Sequence, residues 1–300
     1  LPGGTIPVLA APSRKADRGL GQSIEAEFFD EGRGVDVVAP GISGFALPNF
    51  ARYDNVDFGS SSPTASAADP AATDFFANIA CPADLDARLE VKVDDLSAAP
   101  ICTLKVARNG GIPERNAQRA SLTRPVRGQH TVYLMLSGKP GISAINLDWF
   151  KFVSLPRPAT HRIDAMQFDA MRGAAVTDAG VAHLDTGDFL RYSAVDFGAG
   201  EGYVHVNCGV RKQYAGRSIV FRIDDVNGRI IAQLKVRDTG EFTNFEVQTA
   251  PVTPVKGLHD VYLTFNGNGV ANIEWFQFSN DSKPPPPVPT PAPSTKRGDQ

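Results

Sequence analysis

Two ten-residue stretches, PVRGQHTVYL from Pro125 and PVKGLHDVYL from Pro254, agree at seven positions across a separation of 129 residues. The three exchanges, Arg127/Lys256, Gln129/Leu258 and Thr131/Asp260, all precede the shared Val-Tyr-Leu run. Chance is a poor explanation for such agreement. Self-similarity at a fixed spacing marks a duplicated structural unit, so its extent decides the fold.

The agreement spreads in both directions. IEAEFFD from Ile24 aligns with IDAMQFD from Ile163 at an offset of 139 residues. The same offset carries Gly34 onto Gly173, Gly41 onto Gly180, and FARYDNVDFG from Phe50 onto FLRYSAVDFG from Phe189. After Gly59 the first copy inserts SSSPTASAADPA, a run of small polar residues and proline that reads as a surface loop. Cys81 then pairs with Cys208, Asp94-Asp95 with Asp224-Asp225, and Leu104-Lys105-Val106 with Leu234-Lys235-Val236. INLDWFKF from Ile145 matches NIEWFQF from Asn272, which sets Trp149 on Trp275. Two homologous modules are therefore expected, over residues 23–153 and 161–279. Residues 1–22 are expected as an N-terminal linker, 154–160 as the joint and 280–300 as a C-terminal linker or tail.

Within each copy the local signal is strand. HDVYLTF and NIEWFQF are short runs rich in Val, Ile, Tyr, Phe and Trp, bounded by Gly, Asn, Asp and Pro. SIVFRIDD and NGRIIAQLKV set an Asn-Gly pair between two strands, which predicts a hairpin with a type I′ turn. No segment sustains a helical apolar stripe over three turns. The fold class is all-β, two tandem β-sandwich (jelly-roll) domains with disordered or extended ends.

Composition narrows the function classes. The chain has 300 residues, 42% hydrophobic and 21% charged, with a net charge of −3. Such a balance offers no polybasic surface for nucleic acid or anionic lipid. No apolar run approaches the roughly 20 residues of a membrane helix. Without an initiator Met or a signal peptide, the sequence reads as a processed chain or an excised fragment. Cys81, Cys102 and Cys208 allow at most one intramolecular disulfide. PPPPVPTP from Pro284 reads as an extended spacer, or more sharply as a ligand for a proline-reading domain.

No catalytic constellation assembles. There is no Gly-x-Ser-x-Gly elbow, no His-Glu-x-x-His and no phosphate-binding glycine loop. The repeated Asp94-Asp95 and Asp224-Asp225 precede turns, and neighbouring strand residues point apart, so they read as turn chemistry. The chain is expected not to be an enzyme, with a catalytic domain possible outside it.

Taken in order and twice, IEAEFFD, DTGDFLRY, GLHDVYLTF and WFKF or WFQF resemble a family 6 carbohydrate-binding module. The resemblance implies a jelly-roll sandwich attached to secreted polysaccharide-active enzymes, and hence an extracellular protein. Residues two apart on a strand share a face, so Glu25 and Glu27 present two carboxylates together, with Asp148 on the neighbouring last strand. Oxygen ligands of this kind suit Ca²⁺, and modules of this family hold a structural calcium there. The alternative is an acidic strand edge that discourages aggregation. The second copy offers Asp164, Met166 and Glu274, and a thioether is a poor ligand for a hard cation.

The resemblance also implies a sugar site in loops at one end of the sandwich, built from a Tyr, a Trp and an Asn. In the second copy those positions fall on His183, on Phe242, and among Asn266, Asn268 and Asn272. The rings stack on the apolar face of a sugar and the amides meet its hydroxyls. Alternatively, Phe242 turns inward and His183 is a solvated loop residue. In the first copy the ring positions are Gly44 and Ile112, and the later loop carries Arg108, Arg115 and Arg119. Trp149, Trp275, His130 and His259 read as scaffold. The leading function is non-catalytic polysaccharide binding by tandem modules of a larger secreted protein. The second is a structural or adhesive protein of an extracellular assembly, with extracellular protein partners, that uses the sandwich as scaffold with sugar binding reduced or lost.

Overall fold

In the computed structural model, which describes residues 18–60, 71–110, 116–177 and 180–286, the repeated stretch is a strand in both copies. Val132, Leu134 and Leu136 of Gln129–Ser137 are buried, as are Val261, Leu263 and Phe265 of Leu258–Asn266. Their spacing of two puts all three side chains on one face of the sheet. In the first module this strand is central in a sheet ordered Glu31–Arg33, Phe50–Asp57, Gln129–Ser137, Arg88–Val93, Cys102–Lys105. The facing sheet runs Asp36–Val37, Ile42–Ser43, Asn146–Val153, Ala72–Ala80, Asn116–Val126, with Ile24–Glu25 also against Asn146–Val153.

The second module repeats both orders. One sheet runs Ala170–Arg172, Phe189–Asp196, Leu258–Asn266, Ser218–Ile223, Ile230–Lys235. The other runs Ala175–Thr177, Gly180–Ala182, Asn272–Ser279, Tyr203–Gly209, Glu246–Pro251, with Ile163–Asp164 against Asn272–Ser279. The cores draw on both sheets: Tyr53 meets Phe150 edge-on at 4.7 Å, and Tyr192 meets Phe276 at 4.8 Å. The described helices are single 3₁₀ turns, and none is long and apolar enough to cross a membrane. The all-β tandem sandwich is the fold. All three cysteines are buried and free.

The repeated histidine is scaffold. His130 Nδ1 lies 2.6 Å from Asp94 Oδ2 and its Nε2 2.8 Å from the Arg127 carbonyl. His259 repeats both contacts with Asp224, at 2.8 Å, and with the Lys256 carbonyl, at 3.1 Å. The Asn-Gly hairpin forms, but not with the expected turn. Neither Asn227 nor Gly228 takes the left-handed conformation that a type I′ turn requires; Asp224 does, at φ 66°. The Asp225 carboxylate accepts the Asn227 N–H and the Asp225 carbonyl accepts that of Gly228, which forms an Asx turn. Gly228 is needed for closeness, since a Cβ there would lie 2.1 Å from the Ile223 carbonyl oxygen.

Two stretches expected as linkers contribute to the modules. Arg18 donates to Asp30 and to the carbonyls of Asp54 and Phe28. Arg157, at the same offset of 139 residues, donates to Asp169 and to the carbonyls of Ser193 and Gln167. Arg157–Pro158 also pairs in parallel with Val195-Asp196, and Ala159 enters the second core. Each carboxylate catches the strand where it bulges: Asp54 N–H donates to Asp30, and Ser193 N–H to Asp169.

The modules meet through one asymmetric addition to this pattern. Lys151, on the last strand of the first module, is fully buried with its Nζ 2.9 Å from Asp169 Oδ1. It also donates to the carbonyls of Gln167 and Phe168. Beside it, Trp149 packs edge-on against Phe168 and belongs to the core cluster of the second module. Burial holds the Lys151 ammonium down at about 8, against an ordinary 10.5, with Asp169 opposing the shift and Arg157 adding to it.

Removing one partner from a buried ion pair costs about 3–5 kcal/mol because the other charge is left uncompensated. Asp169→Asn is expected to lose stability on that scale in urea titration. Asp30→Asn should lose clearly less, because the Asp30 side chain is 30% exposed whereas that of Asp169 has no exposed surface. The Lys151 amine binds its proton less tightly folded than unfolded, so its burial penalty is full below pH about 8 and relieved between about 8 and 10.5. The melting temperature of the wild type should therefore rise relative to Lys151→Met across that window.

Candidate functional site

Four loops of the second module gather at one end of the sandwich. The first follows Gly180–Ala182: His183 is exposed in a left-handed turn, φ 56°, while its neighbour Leu184 anchors in the core. The DTGD segment then closes on itself, with the Asp185 N–H donating to Asp188 Oδ2 at 2.8 Å. A second loop, 266–270, is laced to the first. Gly267 N–H donates to Thr186 Oγ1, Gly269 N–H to Asp185 Oδ1, and Val270 N–H to the Leu184 carbonyl. Asn266 and Asn268 are exposed there, and Asn272 starts the next strand half-buried, in register with Gly209.

The rings come from the other two loops. Tyr214 ends the 3₁₀ turn Lys212–Tyr214 and stacks on Phe242, with centroids 5.2 Å apart and planes 27° from parallel. Tyr214 also borders the second loop, because a Cβ on Gly269 would lie 3.3 Å from its ring. Phe242 is half-buried, neither turned into the core nor free on both faces. Arg211 lies over its ring at 5.2 Å and is itself fixed by Glu241, at 2.6 Å; Arg217 lies over Tyr214 at 4.4 Å. The loop beneath is built on Thr239, whose hydroxyl oxygen accepts the Val210 N–H while Asn244 donates to its carbonyl. Sequence reasoning sought the ring partner of Phe242 at His183 and missed Tyr214. An aromatic isolated in the polar run RKQYAGR is the only signal that pointed to it.

In the first module, Gly44 sits at φ 67°, a conformation that strains any side chain, with the Asp36 carboxylate close to where a Cβ would lie. Ile112 and Arg115 lie outside the described residues. Arg119 is exposed but paired with buried Asp74, at 2.9 Å, and Arg108 is exposed.

The carboxylates expected to hold calcium fare differently in the two copies. Among the described residues no three His, Cys, Asp or Glu side chains stand grouped around a metal position. In the first module Glu27 Oε2 is buried with no hydrogen-bond partner, while Ala26 N–H donates to the Asp148 carbonyl and Asn78 to the Asp148 carboxylate. The orphaned oxygen is of a kind that suits a hard cation, but the first strand ends at Glu25 and Glu27 falls in the turn after it, so the strand face expected to present both carboxylates together does not form. The second set does not suit such a cation. Asp164 accepts the N–H of Met166, which replaces the second carboxylate, and Glu274 is held by Asn207. Burial pushes the Asp164 carboxyl up, with Glu274 nearby adding to the shift.

The family described as carbohydrate binding module (family 6) matches residues 25–154 and 164–280. The chain belongs to this family. Endo-1,4-beta-xylanase A of Thermoclostridium stercorarium is 25% identical to this family 6 chain over 266 residues, 83% of this chain and 46% of that enzyme. Arabinoxylan arabinofuranohydrolase of Bacillus subtilis (strain 168) is 31% identical over 111 residues, 36% of this chain and 21% of that enzyme. A family 6 module of Clostridium cellulolyticum solved with xylose is 31% identical, covering 41% of this chain and 99% of its own, with a TM-score of 0.38. The chain spans less than half the length of these curated relatives.

The loop geometry makes one residue decisive. A Cβ on Gly209 would lie 2.2 Å from the Phe242 carbonyl oxygen, which is backbone and cannot swing aside. Gly209→Ala is expected to cost about 1–3 kcal/mol by overpacking. It should also abolish the mutual ring-current shifts of Tyr214 and Phe242 in proton NMR.

Proposed function

We propose that this chain is a non-catalytic, polysaccharide-binding part of a larger secreted protein, and that the second module carries the sugar site at its loop end. The observation that carries the reading is the Tyr214–Phe242 stack in the loops of a family 6 sandwich, with His183, Asn266 and Asn268 exposed in neighbouring loops and Asn272 half-buried beside them in sequence. The exposed edge of the stack would meet the apolar face of a pyranose, and the imidazole and amides its hydroxyls. Relatives named for xylan and arabinoxylan make β-1,4-linked xylan the first ligand class to test. The first module, with no ring at Gly44, would serve as partner and support.

Binding of the intact chain to xylan, arabinoxylan and cello-oligosaccharides by calorimetry tests this. Phe242→Ala and Tyr214→Ala are each expected to weaken binding about tenfold or more, equivalent to about 1.4 kcal/mol, with the circular dichroism spectrum of the folded chain retained. Absence of binding to every glycan by the folded chain would overturn it and leave the structural or adhesive reading.

We further propose that Glu25, Glu27 and Asp148 hold a structural Ca²⁺ in the first module and that the second module holds none. A bound cation would neutralise the carboxylates and join the first and last strands. Ligand binding to the folded state alone raises stability, so calcium should raise the melting temperature and a chelator lower it. Glu27→Gln should remove that response, whereas Asp164→Asn should leave it intact.

A further inference from the structure

The outer face of the last strand has an occupant in both modules. In the first, Trp149, Asn78 and Ala117 form a row across three strands, in register. The second module sits on that row: Trp149 and Ala117 pack into its core cluster, and Trp149 meets Phe168. In the second module the equivalent row is Trp275, Asn207 and Val247. No module follows it among the described residues, and Trp275 stays half-exposed rather than taking the core role its strand position predicts. Gln277 stands where Lys151 stands in the first module, so this row lacks the buried cation that reads Asp169.

What lies on the second row is the chain's own exit. After Ser279 the backbone turns under specific control. Fully buried His205 contacts the Asp281 carbonyl through Nε2 at 3.0 Å and Thr249 through Nδ1 at 2.8 Å. Asp281 Oδ1 accepts the Lys283 N–H at 2.9 Å. The chain then returns over the sheet, and Pro284 and Pro285 line a groove of about 480 Å³ with Trp275, Phe245 and Arg162. The Arg162 guanidinium lies 4.3 Å from the Trp275 ring centroid and donates to the Pro286 carbonyl at 2.6 Å.

We infer that the Trp275 row is a docking surface for extended, proline-rich chain, and that its occupant is the molecule's own Pro284–Pro286 segment. A polyproline II segment carries no internal hydrogen bonds and presents unpaired carbonyls and flat pyrrolidine rings. Recognition of such segments needs an aromatic-lined groove and a donor for a carbonyl. Trp275 and Phe245 supply the groove, and Arg162 supplies the donor and extends the flat surface over the indole. Proline has no N–H, so the segment cannot add a strand to the sheet and must be held through its rings and carbonyls. The reader and the proline motif thus occupy one chain, and the exit path is fixed rather than free.

The test uses the full chain, a chain ending at Lys283, and a labelled peptide of residues 282–292, SKPPPPVPTPA. By fluorescence anisotropy the peptide should bind the shortened chain saturably. It should bind the full chain at least about tenfold more weakly, because a tethered segment competes at an effective concentration of about millimolar. Trp275→Ala and Arg162→Gln in the shortened chain should each weaken peptide binding at least about tenfold while leaving the circular dichroism spectrum and melting temperature in place. No saturable binding, or equal binding by the Trp275→Ala chain, overturns the inference. So does a shortened chain that ignores the peptide but gains a Trp275-dependent affinity for soluble glycans, which would make the face a covered sugar surface.

Discussion

A single buried carboxylate, Asp169, organises the second module and its junction with the first. It receives Arg157 from the chain entering the module, the Ser193 N–H from the bulged strand and Lys151 from the preceding module. A carboxylate with no exposed surface is tolerable only when its charge is matched and its lone pairs are filled. Here the matching groups come from three separate stretches, so satisfying one charge fixes where all three lie. Asp30 shows the simpler form of the device. There Arg18 and the Asp54 N–H do the work, and part of the carboxylate stays in water. Lys151 turns this intramodular clasp into an intermodular one.

The consequence is a division of labour between near-identical sandwiches. The Trp149 row of the first module is covered by the second module, and at its loop end the ring position is Gly44, held at φ 67°. The second module retains rings at the loop end and a half-exposed tryptophan on its outer row. Because a buried ion cluster and an aromatic contact join the modules, their orientation is set by packing rather than by the length of the joint.

The duplication and the strand pattern made the fold legible. Val132-Tyr133-Leu134 and Val261-Tyr262-Leu263 carry the period of two without ambiguity, and the scaffold role of His130 and His259 followed from their identical setting. The same comparison could have reached Arg18 and Arg157, which precede Ile24 and Ile163 by six residues in each copy. They sit in proline- and glycine-containing runs that look like linkers, and a charge destined for burial looks no different in sequence from a solvated one. Lys151 was less legible still, because its role depends on a partner in the other module and its counterpart is Gln277. Tyr214 escaped because its loop has no motif; only the folded chain brings RKQYAGR beside EFTNF. The Asn227-Gly228 turn failed as a prediction because Asp225 offered the backbone a local side-chain bond that an Asn-Gly rule does not weigh.

The stacked pair also shows how the loops of the second module hold each other in place. Two rings that clasp a sugar from both sides must stand apart, whereas Tyr214 and Phe242 lie against each other with an arginine over each. That arrangement leaves the edges of the rings, rather than their faces, toward the loop end and gives the pair rigidity, since each ring is fixed by the other and by a guanidinium that is itself paired or packed.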